Sequence, residues 1–167
     1  DSHRWARPSQ FLDEWRENTI KIPPPIITVL LLLEELLLQY RQDISLAVKE
    51  LSAREGERPI LFAHGVECIP VPTHTLPPAS TTNTYILGIG GDHIIVDAAA
   101  RTAEGLAMIG RAVERVKERG GRIVGLLFTH RHLDHVGDIA ELQKFGPFPV
   151  LASAETAAAL PWPVVAI

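Results

Sequence analysis

Thr129-His130-Arg131-His132-Leu133-Asp134-His135-Val136-Gly137-Asp138 places three histidines and two carboxylates within ten residues. It directly follows the apolar run Ile123-Val124-Gly125-Leu126-Leu127-Phe128. A β-branched and aromatic run that ends in a polar cluster predicts a buried strand whose end opens into a site. Imidazole is a good ligand for zinc and iron, and carboxylate adds the charge to hold a second cation. His130 and His132 are two apart, so in extended backbone they project from one face and can grip one metal together. Asp134 and His135 then turn onto the next element, within reach of a neighbouring metal.

His130-x-His132-x-Asp134-His135, preceded by Thr129 and followed by Gly137, resembles the signature of the metallo-β-lactamase superfamily. The resemblance implies that His130 and His132 bind one metal and that Asp134 and His135 bind a second. It also implies that Asp134 acts in catalysis by orienting the attacking hydroxide. The metal would be zinc, one or two ions, with iron or manganese as alternatives of the same donor chemistry. The form Thr-His-x-His-x-Asp-His leans toward the glyoxalase II-like and ribonuclease-like branches. The fold implied is α/β: the first half of an αββα sandwich, here preceded by a helical segment.

Upstream, Thr82–Gly88 and Asp92–Asp97 flank Gly90-Gly91 and read as a hairpin. It is similar to the first strands of that family, with Asn83, Tyr85, Val96 and Asp97 matching and Ala99 standing where a Gly is usual. The resemblance gives Asp97 the role of a carboxylate that supports the metal loop. Its local alternative is a cap for the next helix. Thr102–Arg119 is an amphipathic helix with Leu106, Ile109, Val113 and Val116 in one stripe, Thr102 as N-cap and Gly120 past its end. A helix near Gly137–Phe145, a strand at Val150-Leu151-Ala152 and a helix capped by Ser153 follow. The series is βαβ in kind and needs a mainly buried sheet.

Residues 1–58 form a helical N-terminal segment and residues 59–167 the partial metallo-β-lactamase-like domain. In the first block Ser9 is a candidate cap for a short helix carrying Phe11, Leu12 and Trp15. Pro23-Pro24-Pro25 stops one element and starts another. Ile26–Leu38 is almost wholly apolar, but its 13 residues include Glu34 and Glu35, too short and too charged for a bilayer core of about 30 Å. A buried or interface helix is the reading. Asp43–Glu55 continues the helical period, with Gly56 placed to end it. This order faintly resembles the helical tail of some Nudix hydrolases; the Nudix box is absent, and no Nudix activity is implied. Ile60–His64 and Cys68–Val71 are candidate strands. Pro70, Pro72, Pro77 and Pro78 assign the next segment to loop or edge. His74 and His93 read as solvated, and His64 as the end of a strand; none has ligand spacing.

The chain of 167 residues is 46% hydrophobic and 22% charged, an ordinary globular composition. A net charge of −4 gives no basic footprint for nucleic acid. One cysteine, Cys68, excludes an internal disulfide and suits a reducing, cytoplasmic setting. No secretory signal is visible, although the first residue is Asp1. The resembled family completes its site with a further His, a bridging Asp and a last His. No His follows His135 and no Asp follows Asp138, so the expectation is a missing C-terminal half, or a second copy in a homo-oligomer, covering the open sheet. Two function classes stand. One is a metal-dependent hydrolase of an ester, thioester or phosphodiester, with a small-molecule or phosphodiester substrate and no membrane partner. The other is a non-catalytic fragment or interaction module that keeps the motif.

Overall fold

A computed structural model describes residues 3–54 and 59–167. The chain divides into two compact units, Asp1–His64 and Gly65–Ile167.

The first unit holds α1 (Pro8–Arg16), α2 (Pro24–Gln39), α3 (Ile44–Ala53) and the short strand β1 (Ile60–Ala63). Ser9 does not cap α1. The cap position is Arg7, and Pro8 takes the first helical position, where a missing N–H costs nothing. The Arg7 N–H donates to Gln10 Oε1 at 2.9 Å, closing the turn that a Ser9 cap would have served. Leu12 and Trp15 are buried. The prolines start α2 as expected. This helix is apolar nearly all round, yet it buries Ile27, Leu36 and Leu37 while Ile26 and Leu38 stay exposed. At 16 residues it reaches about 24 Å, less than a bilayer core, and no helix among the described residues is long and apolar enough to cross a membrane. Asp43 caps α3, accepting from the Leu46 N–H at 3.0 Å. The expected stop at Gly56 lies outside the described residues.

The second unit is mixed α/β. Its strands are β2 (Val66–Pro72), β3 (Thr81–Leu87), β4 (Asp92–Val96), β5 (Arg122–Phe128), β6 (Val150–Ala152) and β7 (Val165–Ala166). They lie in one sheet in chain order. β2, β3 and β4 pair antiparallel. From β4 onward the pairing is parallel, with crossovers through α4 (Ala103–Glu118), α5 (Ile139–Leu142) and α6 (Ala154–Ala159). Thr102 and Ser153 cap α4 and α6 as their sequences predict. Gly120, at φ +79°, takes the left-handed turn after α4.

Pro70 lies within β2, as the candidate strand Cys68–Val71 has it, and the strand runs on to include Pro72. The reason is the alternation of an antiparallel strand. The Thr73 N–H bonds Ser80 O at 3.1 Å, so residues two and four before it also face β3. Pro70 and Pro72 therefore lack N–H groups only on the side away from β3, where the ladder does not use them.

One face of this sheet carries Ile69, Val71, Ile86, Ile95, Leu126, Phe128 and Val150 into the core with Ile109, Val113 and Val116 of α4. The other face has its own row. The registers align Cys68, Tyr85, Val96, Leu127, Leu151 and Val165 across the sheet. Glu67, buried on β2, is neutralised by Arg115 of α4. His93 departs from the solvated expectation. It is half-buried, and Gly88 and Gly121 leave the space its ring fills, since a Cβ on either would stand 3.0 Å or less from it.

Burial pushes the Cys68 thiol pKa up, and the neighbouring Glu67 carboxylate adds to the shift. Cys68 is 4% exposed. The native protein should therefore react with Ellman's reagent at pH 8 at least about 100-fold more slowly than the guanidinium-unfolded chain, since the thiolate is the nucleophile. A stoichiometric burst from the native state would contradict this placement.

Candidate metal centre

The site forms where β5 ends at Phe128. Phe128 is 1% exposed and anchors the strand. Val136, Ile139 and Leu142, all buried, anchor the far side of the loop. Between these anchors the backbone bends at Thr129-His130 and turns through Leu133–His135. It does not continue extended through His132. The His132 carbonyl accepts from the N–H groups of His135 and Val136 at 2.9 and 3.0 Å, folding the loop back on itself. The turn gathers the rings. His130 and His132 have centroids 4.8 Å apart, edge to face, and His130 and His135 are 4.1 Å apart.

The centre of this arrangement is Asp97, the residue after β4. It does not cap a helix; Thr102 does that. Its backbone takes φ +51°, in the left-handed region. The positive φ reverses the chain at Asp97 itself, so Ala99 has no such conformation to adopt and needs no glycine. Thr84, wholly buried on β3, holds this reversal by donating to the Asp97 carbonyl at 2.7 Å. The Asp97 carboxylate then serves the loop. Oδ1 accepts from the Thr129 N–H at 2.8 Å, and Oδ2 accepts from Thr129 Oγ1 at 2.7 Å. Oδ2 also lies 3.0 Å from His135 Nδ1.

These bonds decide the tautomers. A carboxylate only accepts, so His135 Nδ1 carries the proton and its Nε2 keeps a free lone pair. Thr129 has one hydroxyl hydrogen, already given to Asp97. Its oxygen, 2.9 Å from His130 Nδ1, therefore accepts from that nitrogen, and His130 Nε2 is freed as well. One buried carboxylate, directly and through a hydroxyl, thus leaves the Nε2 atoms of two imidazoles bare, as a metal ligand requires.

Among the described residues, one ligand-type atom from each of Asp97, His130 and His135 lies within 4.8 Å of the others. His132 and Asp134 are outside that group. Asp134 is turned toward the proline-rich loop, where Thr75 Oγ1 donates to its Oδ2 at 2.7 Å. That bond holds the Asp134 carboxyl below the ordinary carboxylate range; burial opposes it, and His135 and His132 assist. The donor set, two Nε2 atoms with a third imidazole and an ionised carboxylate on the same turn, suits zinc and equally iron or manganese. Asp97 has both oxygens engaged, so it fits the holder of ligands better than a ligand.

Thr129, His130, Arg131, His132, Ser153 and Glu155 line a cavity of about 290 Å³ beside the loop. A larger groove of about 680 Å³ runs along α4 and shares none of these residues. His74 and His64 are exposed, and the His64 ring lies tilted against Trp15, with centroids 6.0 Å apart. Thr75 carried no signal in sequence, since it lies 59 positions from its partner.

Comparison with known proteins identifies the family of the chain. The metallo-beta-lactamase superfamily model matches residues 77–166. An atrochrysone carboxyl ACP thioesterase of Passalora fulva is 36% identical over 66 residues, 40% of this chain and 19% of that protein. The corresponding thioesterase of Aspergillus chevalieri is 39% identical over 74 residues, 44% of this chain and 22% of that protein. The match thus spans about a fifth of these relatives' length. Among solved structures, the metallo-beta-lactamase FIM-1 from Pseudomonas aeruginosa in its mono-zinc form is 27% identical with a TM-score of 0.45, covering 58% of this chain and 42% of that one. With the family model matching more than half of its residues, and Asp97 and the His130–His135 loop falling inside that match, the chain belongs to the metallo-beta-lactamase superfamily.

Proposed function

We propose that residues 65–167 form the metal-binding part of a hydrolase whose substrate is a thioester. The observation that carries the reading is the Asp97–Thr129 hydrogen-bond system, which leaves the Nε2 atoms of His130 and His135 free to ligate. His130, His132, Asp134 and His135 are the proposed ligands, with zinc first and iron or manganese as alternatives. A bound ion of this kind supplies a water of lowered pKa and polarises a carbonyl. Asp97 fixes the protons of the two imidazoles. Asp134, kept ionised by Thr75, accepts a hydrogen bond from the attacking water and aims it. The cavity wall at Arg131 and Ser153 offers donors for the polar end of a substrate. The relatives' names favour a thioester over a phosphodiester.

The test is zinc content after dialysis, together with release of thiol from an S-acyl-N-acetylcysteamine thioester by the 167-residue chain. Near-stoichiometric zinc and turnover that a chelator removes and His132→Ala lacks are expected. A chain that takes up no metal ends the reading. Zinc binding with cleavage of bis-p-nitrophenyl phosphate alone transfers it to phosphodiesters. Zinc binding without hydrolysis of either favours the non-catalytic module.

A further inference from the structure

The carboxylate of Asp97 is one of two anchors that the segment after β4 offers to the metal loop. The second is Arg101, four residues on. Its Nε–H is shared between two carbonyl oxygens, Leu133 at 3.2 Å and Val136 at 3.0 Å. Those carbonyls bracket Asp134-His135. Between the two anchors, the Asp138 N–H bonds the Ala100 carbonyl at 2.8 Å, and Gly137 lies against the backbone of Ala98 and Ala100. The loop is thus seated along its whole second half on residues 97–101.

The His132 carbonyl closes the turn from inside, while Arg101 holds it from outside. A guanidinium suits this task. It stays charged at every working pH, it is planar, and it only donates. A charge-assisted bond to each carbonyl fixes the peptide plane that enters Asp134 and the one that follows Val136, and so limits how the turn carrying Asp134 and His135 can rotate. Arg101 is itself exposed, so the core does not require it there. We propose that Arg101 is a positioning residue for Asp134 and His135: it sets the geometry with which this pair meets a metal, without touching the metal or the substrate. The inference rests on the metal-binding reading of the preceding section.

The test is zinc affinity, measured by competition with a chromogenic chelator, for the parent chain and for Arg101→Met, Arg101→Gln and Arg101→Lys. Outer partners of metal ligands are worth about 10–100-fold in affinity. Arg101→Met, which keeps the length without a donor, should bind zinc about tenfold more weakly. Arg101→Gln, whose Nε2 stands as many bonds from Cα as the arginine Nε and donates without the charge, should fall between the parent and Arg101→Met. Arg101→Lys, whose ammonium lies one bond beyond the arginine Nε but keeps a charged donor that can turn toward either oxygen, should recover to within about threefold of the parent. With cobalt(II) in place of zinc, the visible d–d band should shift in Arg101→Met and return in Arg101→Lys. Equal affinity in parent and Arg101→Met, or a loss that lysine does not restore, overturns the proposal and leaves the metal centre standing. A parent chain that binds no zinc overturns both.

Discussion

Asp97→Asn is expected to weaken zinc binding by about 10–100-fold with the fold intact. Asparagine nearly matches aspartate in size, and it is one of the few residues that accept the left-handed backbone found at position 97. The backbone reversal should therefore survive, and the effect isolates the carboxylate. The amide oxygen can still accept from the Thr129 N–H. The NH2 group must then face Thr129 Oγ1 and His135 Nδ1, where the carboxylate accepted two bonds. A donor opposite Nδ1 drives the His135 proton to Nε2, the atom that has to stay bare. The hydroxyl of Thr129 loses its acceptor and no longer orders His130. Far-UV circular dichroism checks the fold, and chelator competition checks the affinity. Wild-type zinc affinity in Asp97→Asn would show that this network does not prepare the ligands.

Gly137→Ala should do more damage. A Cβ at position 137 would stand 2.1 Å from the Ala98 carbonyl oxygen and 2.6 Å from that of Ala100. Both are backbone atoms of a segment with Ala98, Ala99 and Ala100 wholly buried, so no flexible side chain can yield. The loop must lift off residues 98–100 and break the Asp138–Ala100 bond, or the end of β4 must shift. Overpacking of this kind costs about 3 kcal/mol or more, which for a chain of this size lowers Tm by roughly 10 °C. Zinc binding should be lost as well, because Asp134 and His135 ride on the displaced loop. Thermal melting and metal titration read the two effects separately. An unchanged Tm with intact zinc binding would refute the seating of Gly137 against this segment.

The centre was legible where its determinants are local. An apolar run ending in His-x-His-x-Asp-His signals a strand that empties into ligands, because strand burial and ligand spacing are both short-range properties. The caps at Thr102 and Ser153 were legible for the same reason. The sequence reading ends β2 at Val71 and not at Pro72, because proline chemistry alone does not reveal which side of a strand carries the ladder. Ser9 misled because a proline at the first helical position displaces the cap by two residues. The partners that order the loop are separated along the chain: Asp97, whose supporting role comes only through the family resemblance, lies 38 positions from His135, and Arg101 32 positions from Leu133. No local pattern encodes such pairs. The reversal at Asp97 was likewise hidden, since a positive φ at a non-glycine residue is imposed by Thr84 and the loop it supports.

Strand order in the second unit equals chain order from β2 to β7. Each strand thus pairs with the one made just before it, and no pairing waits for a segment yet to emerge from the ribosome. Assembly of this sheet can proceed vectorially, N-terminus first, each closure costing only the entropy of one hairpin or one crossover. The histidine loop is thus laid onto a segment made before it, since β4 and its following turn precede Thr129 in the chain.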